Sequence, residues 1–131
     1  MEMALVLPLL LLVVFALVDF GRAYNMKIEL TQAAREGVRV IALGGDLNAA
    51  TTRAELVRPP DPGYPMTVTS DRDCLPAGSE ETGSLTVSVD FEYLTPLGPI
   101  ANTLLGVSSS SLPNAGDIQT LTEKGVMRCT G

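Results

Sequence analysis

Histidine and tryptophan are absent from this sequence of 131 residues, cysteine occurs twice, and aromatic residues make up only 5% of it. Without histidine, neither a Ser-His nor a Cys-His catalytic pair can form. Two cysteines without histidine also cannot complete a zinc site of four ligands. We therefore expect no enzyme activity and no cofactor. The alternative is a membrane-tethered hydrolase in which Lys124 serves a serine as base, and the absence of histidine opposes it.

Basic side chains are scarce in the C-terminal two thirds of the chain. Residues 1–43 carry four basic and four acidic side chains, whereas residues 44–131 carry five basic and eleven acidic ones. All of the net charge of −6 therefore lies in the second part. Because affinity for nucleic acids comes largely from cations that neutralise phosphates, we exclude DNA and RNA as partners.

The longest apolar run stands at the start of the sequence. From Met3 to Val18 no side chain is charged. As a helix this run would be about 24 Å long, slightly shorter than a hydrocarbon core of about 30 Å. Phe20 and Tyr24 add aromatic rings suited to the membrane interface, and Arg22 can reach the lipid headgroups. We predict one membrane-spanning segment over about residues 3–20, with the lipid bilayer as a partner.

A signal peptide is the alternative interpretation of the same segment. Gly21 and Ala23 are small residues at the positions that a signal peptidase recognises, so cleavage after Ala23 would release a secreted small binding module. However, the apolar run is longer than usual, no Lys or Arg precedes it, and Glu2 stands where a basic residue is typical. We therefore favour retention of the segment.

Beyond Asp19 the apolar residues recur every three or four positions, which is typical of an amphipathic helix. The pattern predicts one helix over residues 1–43, ended by Gly44-Gly45, and a separate head over residues 44–131. We expect the apolar stripe to pack against the head, and lateral packing against related helices is compatible with it. The stripe consists of Phe20, Tyr24, Ile28, Thr31, Ala34, Val38 and Ile41.

The head is predicted to contain a short helix and about three antiparallel strands, so the fold class is α+β. Asp46 is a suitable N-cap for a helix that ends before Pro59. Apolar and polar residues alternate from Leu85 to Tyr93, which indicates a half-buried strand. The predicted elements are a helix over 48–57, strands over 66–71, 85–93 and 120–129, and a short helix over 99–106 with an apolar cluster of Leu97, Ile100, Leu104 and Leu105.

Cys74 and Cys129 offer one disulfide. It would close a loop of about 55 residues and stabilise the fold by roughly 4 kcal/mol in the chain-entropy estimate. Such a bond forms in an oxidising compartment, and therefore outside the cytoplasm. Two free buried thiols are the alternative.

Three segments of the N-terminal helix resemble a known family. They are "EMALVLP" at residues 2–8, "DFGRAYN" at 19–25 and "LTQAAREG" at 30–37, the last followed by Arg39. Together they are similar to the TadE-like family of minor pilins and pseudopilins, which belongs to the tight-adherence (Flp pilus) assembly system of bacteria. The close resemblance covers residues 2 to about 43.

The resemblance implies a minor pilin or pilus-assembly factor that acts by helix packing in and above the membrane. Its partners would be other pilin or pseudopilin subunits, assembly proteins of the membrane and, if a basic leader lies upstream, a prepilin peptidase. Glu2 matches the family's glutamate and would pair with the amino group of a neighbouring subunit. The alternative is that Glu2 rests in the headgroup layer. The residues expected to serve subunit assembly are Glu2, Pro8, Asp19, Arg22 and Tyr24.

The two sequence signals for topology disagree. Four basic residues follow the apolar run and none precedes it, which by the positive-inside rule would place the head in the cytoplasm. The resemblance implies a bacterial cell-membrane protein with one span and an extracytoplasmic head. We favour the outside placement because acidic residues on the helix balance the four cations.

Overall fold

The N-terminal helix is the dominant element of the structure. The computed structural model describes residues 2–74, 82–94, 99, 103, 106 and 116–129. Helix α1 extends over Glu2–Ala42. Gly44 N donates to Ile41 O at 3.0 Å and Gly45 N donates to Val40 O at 2.9 Å, while Gly44 has a φ of 82°. This is the Schellman arrangement in which glycine tolerates the left-handed backbone, so the predicted helix end is confirmed.

Helix α2 extends over Leu47–Val57, one residue longer than predicted, and the predicted N-cap Asp46 is confirmed. Ala49 N donates to Asp46 Oδ1 at 3.0 Å, which satisfies one of the free N–H groups at the start of the helix. Arg58, directly after the helix, is buried. Its Nε lies 3.7 Å from Glu29 Oε2, and its two terminal nitrogens donate to Tyr64 O at 3.3 and 3.4 Å. Arg58 thus links α1 to the turn that follows α2.

Three strands form one antiparallel sheet, and the α+β class is confirmed. The strands are β1 over Met66–Arg72, β2 over Thr82–Glu92 and β3 over Ile118–Arg128, in the order β1-β2-β3. In the β1–β2 pair Met66 lies opposite Val89 and Ser70 opposite Leu85, with a register shift between Ser70 and Arg72. Both β2 and β3 begin earlier than predicted, at Thr82 and Ile118, and each ends one residue sooner.

The core lies between α1, α2 and the inner face of the sheet. The alternation predicted for β2 is confirmed, because its apolar residues are buried while the polar residues between them are mostly more exposed. Strand β2 thereby contributes Leu85, Val87 and Val89 to the core. The core cluster consists of Leu30, Ala34, Val38, Ile41, Ala50, Cys74, Leu85, Val87 and Val89.

The predicted apolar stripe of α1 is wrong at its N-terminal end. Phe20, Tyr24 and Ile28 are 70%, 59% and 42% exposed, respectively. From Leu30 onward, by contrast, the line of residues facing the sheet is buried. Hydrophobic periodicity fixes the spacing of a stripe, but the element packed against the helix determines which apolar line is covered. That line is Leu30, Ala33, Ala34, Val38, Ile41 and Ala42.

The predicted disulfide is confirmed. Cys74, two residues after β1, is bonded to Cys129, which directly follows β3, with a Cα–Cα distance of 5.7 Å and a sequence separation of 55. The bond joins the ends of the two outer strands beside the start of β2. It excludes the alternative of two free thiols.

The helix predicted over 99–106 lies largely outside the described residues, as does its apolar cluster Leu97, Ile100, Leu104 and Leu105. Pro99 and Thr103 are helical, and Thr103 Oγ1 donates to Pro99 O at 2.8 Å. The chain forms two compact units. One comprises Met1–Asn25 with Phe91–Gln119, the other Met26–Asp90 with Thr120–Gly131, and each is described by itself.

Candidate functional site

The first part of α1 exposes a continuous apolar surface, which we call the apolar stem and define as residues 6–18. Among the described residues, α1 is the one helix long and apolar enough to cross a membrane, and only 6% of its most apolar stretch is buried. Apart from the half-buried Leu12, the large apolar side chains of the stem are between 42% and 65% exposed. These are Val6, Leu7, Leu9, Leu10, Leu11, Val13, Val14, Phe15, Leu17 and Val18.

A buried ion pair directly follows the apolar stem. Asp19 is only 2% exposed. Arg22, one turn later on α1, places Nη1 3.5 Å from Asp19 Oδ1 and keeps 33% of its side chain exposed. A carboxylate withdrawn from water is costly unless a cation and hydrogen-bond donors compensate it. Arg22 is therefore placed to supply the cation that compensates the burial of Asp19.

The guanidinium of Arg22 also lies over an aromatic ring from the sheet. Its Cζ is 5.4 Å from the ring centroid of Phe91, which is within the range of a cation–π contact. Phe91 is 1% exposed and meets Tyr93 edge-on, with centroids 5.2 Å apart and planes at 90°. The Tyr93 hydroxyl in turn donates to Gln119 Oε1 on β3. We call Asp19, Arg22, Phe91 and Tyr93 the Arg22 cluster.

Tyr24, which is also expected to serve subunit assembly, does not belong to this cluster. Its ring stacks on that of Phe20, with centroids 6.3 Å apart and an interplanar angle of 15°. Residues four positions apart lie on one face of a helix, so this pair presents a two-ring aromatic surface. Both rings are more than half exposed.

The remaining predicted residues lie elsewhere in the structure. Glu2 is the first residue of α1 and Pro8 lies inside the helix. Sequence reasoning predicted that Phe91 is buried but missed its contact with Arg22. No local sequence pattern predicts that contact, because the two residues are far apart in the sequence and meet only through tertiary packing.

A second set of interacting polar side chains lies on the three strands β1, β2 and β3. Lys124 Nζ is 2.7 Å from Asp71 Oδ2, and Thr86 Oγ1 donates to the same oxygen at 2.9 Å. The hydrogen bond from Lys124, supported by that from Thr86, lowers the pKa of Asp71 below its ordinary value. Lys124, the lysine considered as a catalytic base, is thus engaged by a carboxylate.

Comparison with known proteins assigns the N-terminal helix to a family. Residues 1–39 match the family model described as TadE-like protein, which covers all of α1 except its last turn. No curated protein and no solved structure is significantly similar to the chain. The segment that carries the apolar stem, the Asp19–Arg22 pair and the aromatic pair is therefore similar to the TadE-like family of pilin-type proteins, which are related to pilus assembly.

Proposed function

We propose that this chain is a minor pilin, pseudopilin or assembly factor of a bacterial tight-adherence (Flp) pilus. The segment of about residues 3–20, which includes the apolar stem, spans the cell membrane once, and the head lies outside the cytoplasm. The protein acts by packing α1 against helices of other pilin-type subunits and of membrane assembly proteins. It catalyses no reaction.

The observation that carries this proposal is the exposure of the apolar stem. Leaving a large apolar side chain in water rather than burying it costs about 1.5–3 kcal/mol, and ten such side chains are exposed on the apolar stem. They require lipid or a partner helix around them. The TadE-like match over residues 1–39 covers this same segment.

The Arg22 cluster supports retention of the stem. Cleavage after Ala23 would remove Asp19 and Arg22, and the ring of Phe91 would lose the guanidinium that now lies over it. In a secreted module, a different group would have to cover the ring of Phe91. The disulfide between Cys74 and Cys129 supports an oxidising environment and hence the external placement of the head.

The proposed assembly residues have separate roles. Glu2 pairs with the amino group of a neighbouring subunit and reports the axial register. Asp19 and Arg22 position the end of the stem at the membrane surface, where an unpaired carboxylate would be costly. Tyr24, with Phe20, offers its ring to the interface or to a neighbouring helix. Pro8, which cannot donate a backbone hydrogen bond, allows a local bend.

The proposal is tested on the protein isolated from living bacteria. We expect it to fractionate with the membrane, to require detergent for extraction, and to retain the apolar stem in its N-terminal peptide. Mass spectrometry of that peptide also shows whether a prepilin peptidase has cut upstream. A soluble protein that begins at Tyr24 would replace the pilin proposal with the secreted binding module.

The role of Glu2 is tested by Glu2→Ala in the same cells. Membrane insertion and the disulfide should persist, while piliation or surface adhesion falls. Glu55→Ala is the matched control, because Glu55 is an exposed carboxylate on α2 outside the matched segment. Piliation unchanged by Glu2→Ala would leave Glu2 in the headgroup layer without a role in register.

A further inference from the structure

The groove between the end of α1 and the middle of α2 holds a pocket of about 260 Å³. Both of these segments belong to the unit that contains the core. We call it the arginine pocket, because two of its wall residues are arginines. It is lined by Glu36, Arg39, Val40, Leu43 and Arg53.

The two arginines of this pocket have no carboxylate partner among the residues that the structure describes. The ion pairs found there join Arg22 to Asp19, Lys27 to Glu123, Arg58 to Glu29 and Lys124 to Asp71. Arg39 and Arg53 are exposed side chains that take part in none of them. A guanidinium presents a fixed fork of donors that matches a carboxylate, so two of them in one pocket offer hydrogen-bond donors to such a group.

The other walls restrict what the pocket can accept. Leu43 is 70% exposed and Val40 is half-buried, so the pocket has an apolar side that suits the methylene groups of an acidic side chain. Glu36 leaves the pocket with a net charge of about +1 and repels a densely charged polyanion. The walls therefore fit a single carboxylate on a short aliphatic stem.

We propose that the arginine pocket receives a carboxylate from the head of a second copy of this chain. The inference rests on the proposed function, since it places copies side by side. Residues 44–131 carry eleven acidic but only five basic side chains, so every copy presents surplus carboxylates to its neighbours. A pocket on one copy that takes an acidic segment from a different surface of the next is a heterologous contact, which propagates along an assembly.

Photo-crosslinking from the pocket wall identifies the occupant. A photoreactive amino acid replaces Leu43 in the full chain, and membranes from bacteria that produce it are irradiated. We expect a crosslinked dimer in which the attached peptide comes from an acidic stretch of residues 44–131 of a second copy. A crosslink to lipid or to an unrelated protein, or the lack of any adduct, would overturn the proposal.

Charge reversal tests the role of the arginines. Arg39→Glu combined with Arg53→Glu should lower the dimer yield by roughly tenfold, because it places like charges at the contact. Arg35→Glu is the matched control for Arg39: it is an exposed arginine on α1, one turn earlier, that does not line the pocket. An equal loss with Arg35→Glu would show that overall charge, not the pocket, governs association and would contradict the proposal.

Two further measurements keep the outcomes separate. The Cys74–Cys129 bond, read by non-reducing mass analysis, reports whether each variant folds. If the arginine variants do not fold, membranes that contain the chain with both arginines intact are irradiated in roughly 0.05 and 0.5 M salt. The higher salt concentration should screen the charges and reduce the yield of the crosslink. An unchanged yield would refute the contact. A membrane-bound chain that supports piliation without this crosslink would disprove the pocket's role alone, whereas a soluble chain cleaved after Ala23 would disprove the proposed function.

Discussion

Arg22 is the cation on which the buried carboxylate of Asp19 depends. Removing one partner of a fully buried ion pair costs about 3–5 kcal/mol. Because a third of the Arg22 side chain is exposed, we expect Arg22→Met to lower the free energy of unfolding by a smaller amount, about 1–3 kcal/mol. Urea denaturation of the full chain in detergent measures this change.

A double-mutant cycle separates the ion pair from the loss of packing over Phe91. Asp19→Asn removes the charge that Arg22 compensates, so Asp19→Asn with Arg22→Met should be less destabilised than the sum of the single variants. Strict additivity of the two changes would show that the pair contributes no coupling energy.

Asp71 gives a prediction about pH dependence. Its pKa in the folded protein is lowered chiefly by the hydrogen bond from Lys124. A carboxyl whose folded pKa is depressed contributes stability above its unfolded pKa of about 3.9 and loses that contribution as the pH falls through the folded value. Lys124→Met should therefore raise the pKa of Asp71 toward its ordinary value and weaken this acid dependence.

A carboxyl-carbon NMR titration of the full chain in detergent measures that shift. Lys27→Met is the matched control, because Lys27 pairs with Glu123 at 3.4 Å and is not among the groups that lower the pKa of Asp71. If the Asp71 titration curve does not move in the Lys124 variant, the hydrogen bond is not the cause of the lowered pKa.

At the scale of elements, the packing of β3 on α1 depends on Gly125. A Cβ at this position would lie 2.6 Å from Ala34 O and 3.1 Å from Val38 Cγ1. Since backbone cannot move aside cheaply, Gly125→Ala should destabilise the head by about 1–3 kcal/mol. The midpoint of thermal unfolding, followed by circular dichroism, reports the effect.

Gly63→Ala is the control for this close approach. A Cβ on Gly63 would meet only Asp61 Oδ1, at an ordinary distance of 3.5 Å, in the turn after α2. This variant should unfold within about 0.5 kcal/mol of the parent chain. Equal destabilisation by both alanines would mean that loss of glycine flexibility, not helix–strand contact, determines the cost.

Elements whose signals are local were predictable from the sequence. The alternation in β2, the Asp46 cap and the Gly44-Gly45 stop each depend on neighbouring residues, and all three are confirmed. The stripe on α1 was wrong at Phe20 because the spacing of apolar residues does not reveal which line a sheet covers. The contact of Arg22 with Phe91 and the burial of Arg58 depend on residues that only tertiary packing brings together.

At the scale of the whole molecule, the chain divides its apolar residues between two destinations. From Leu30 onward α1 buries them under the sheet, whereas the apolar stem and the Phe20–Tyr24 pair leave them exposed. Folding of the head does not cover the apolar stem or the Phe20–Tyr24 pair, so lipid and partner helices can cover them with a gain in free energy. Folding of the head and assembly of the subunit therefore depend on separate apolar residues. Substitutions of these residues should affect one property without the other.

Replacement of the aromatic pair tests this separation. Phe20→Ser with Tyr24→Ser removes two exposed rings that make no contribution to the core cluster. The thermal midpoint of the head and the Cys74–Cys129 bond should stay unchanged, while piliation and the yield of crosslinks between α1 and neighbouring subunits fall by several-fold. Leu56→Ser is the control, since Leu56 is 68% exposed on α2 and lies outside the matched segment. If the aromatic variant assembles as well as the control, the exposed rings do not serve subunit packing; if it unfolds, they stabilise the fold instead.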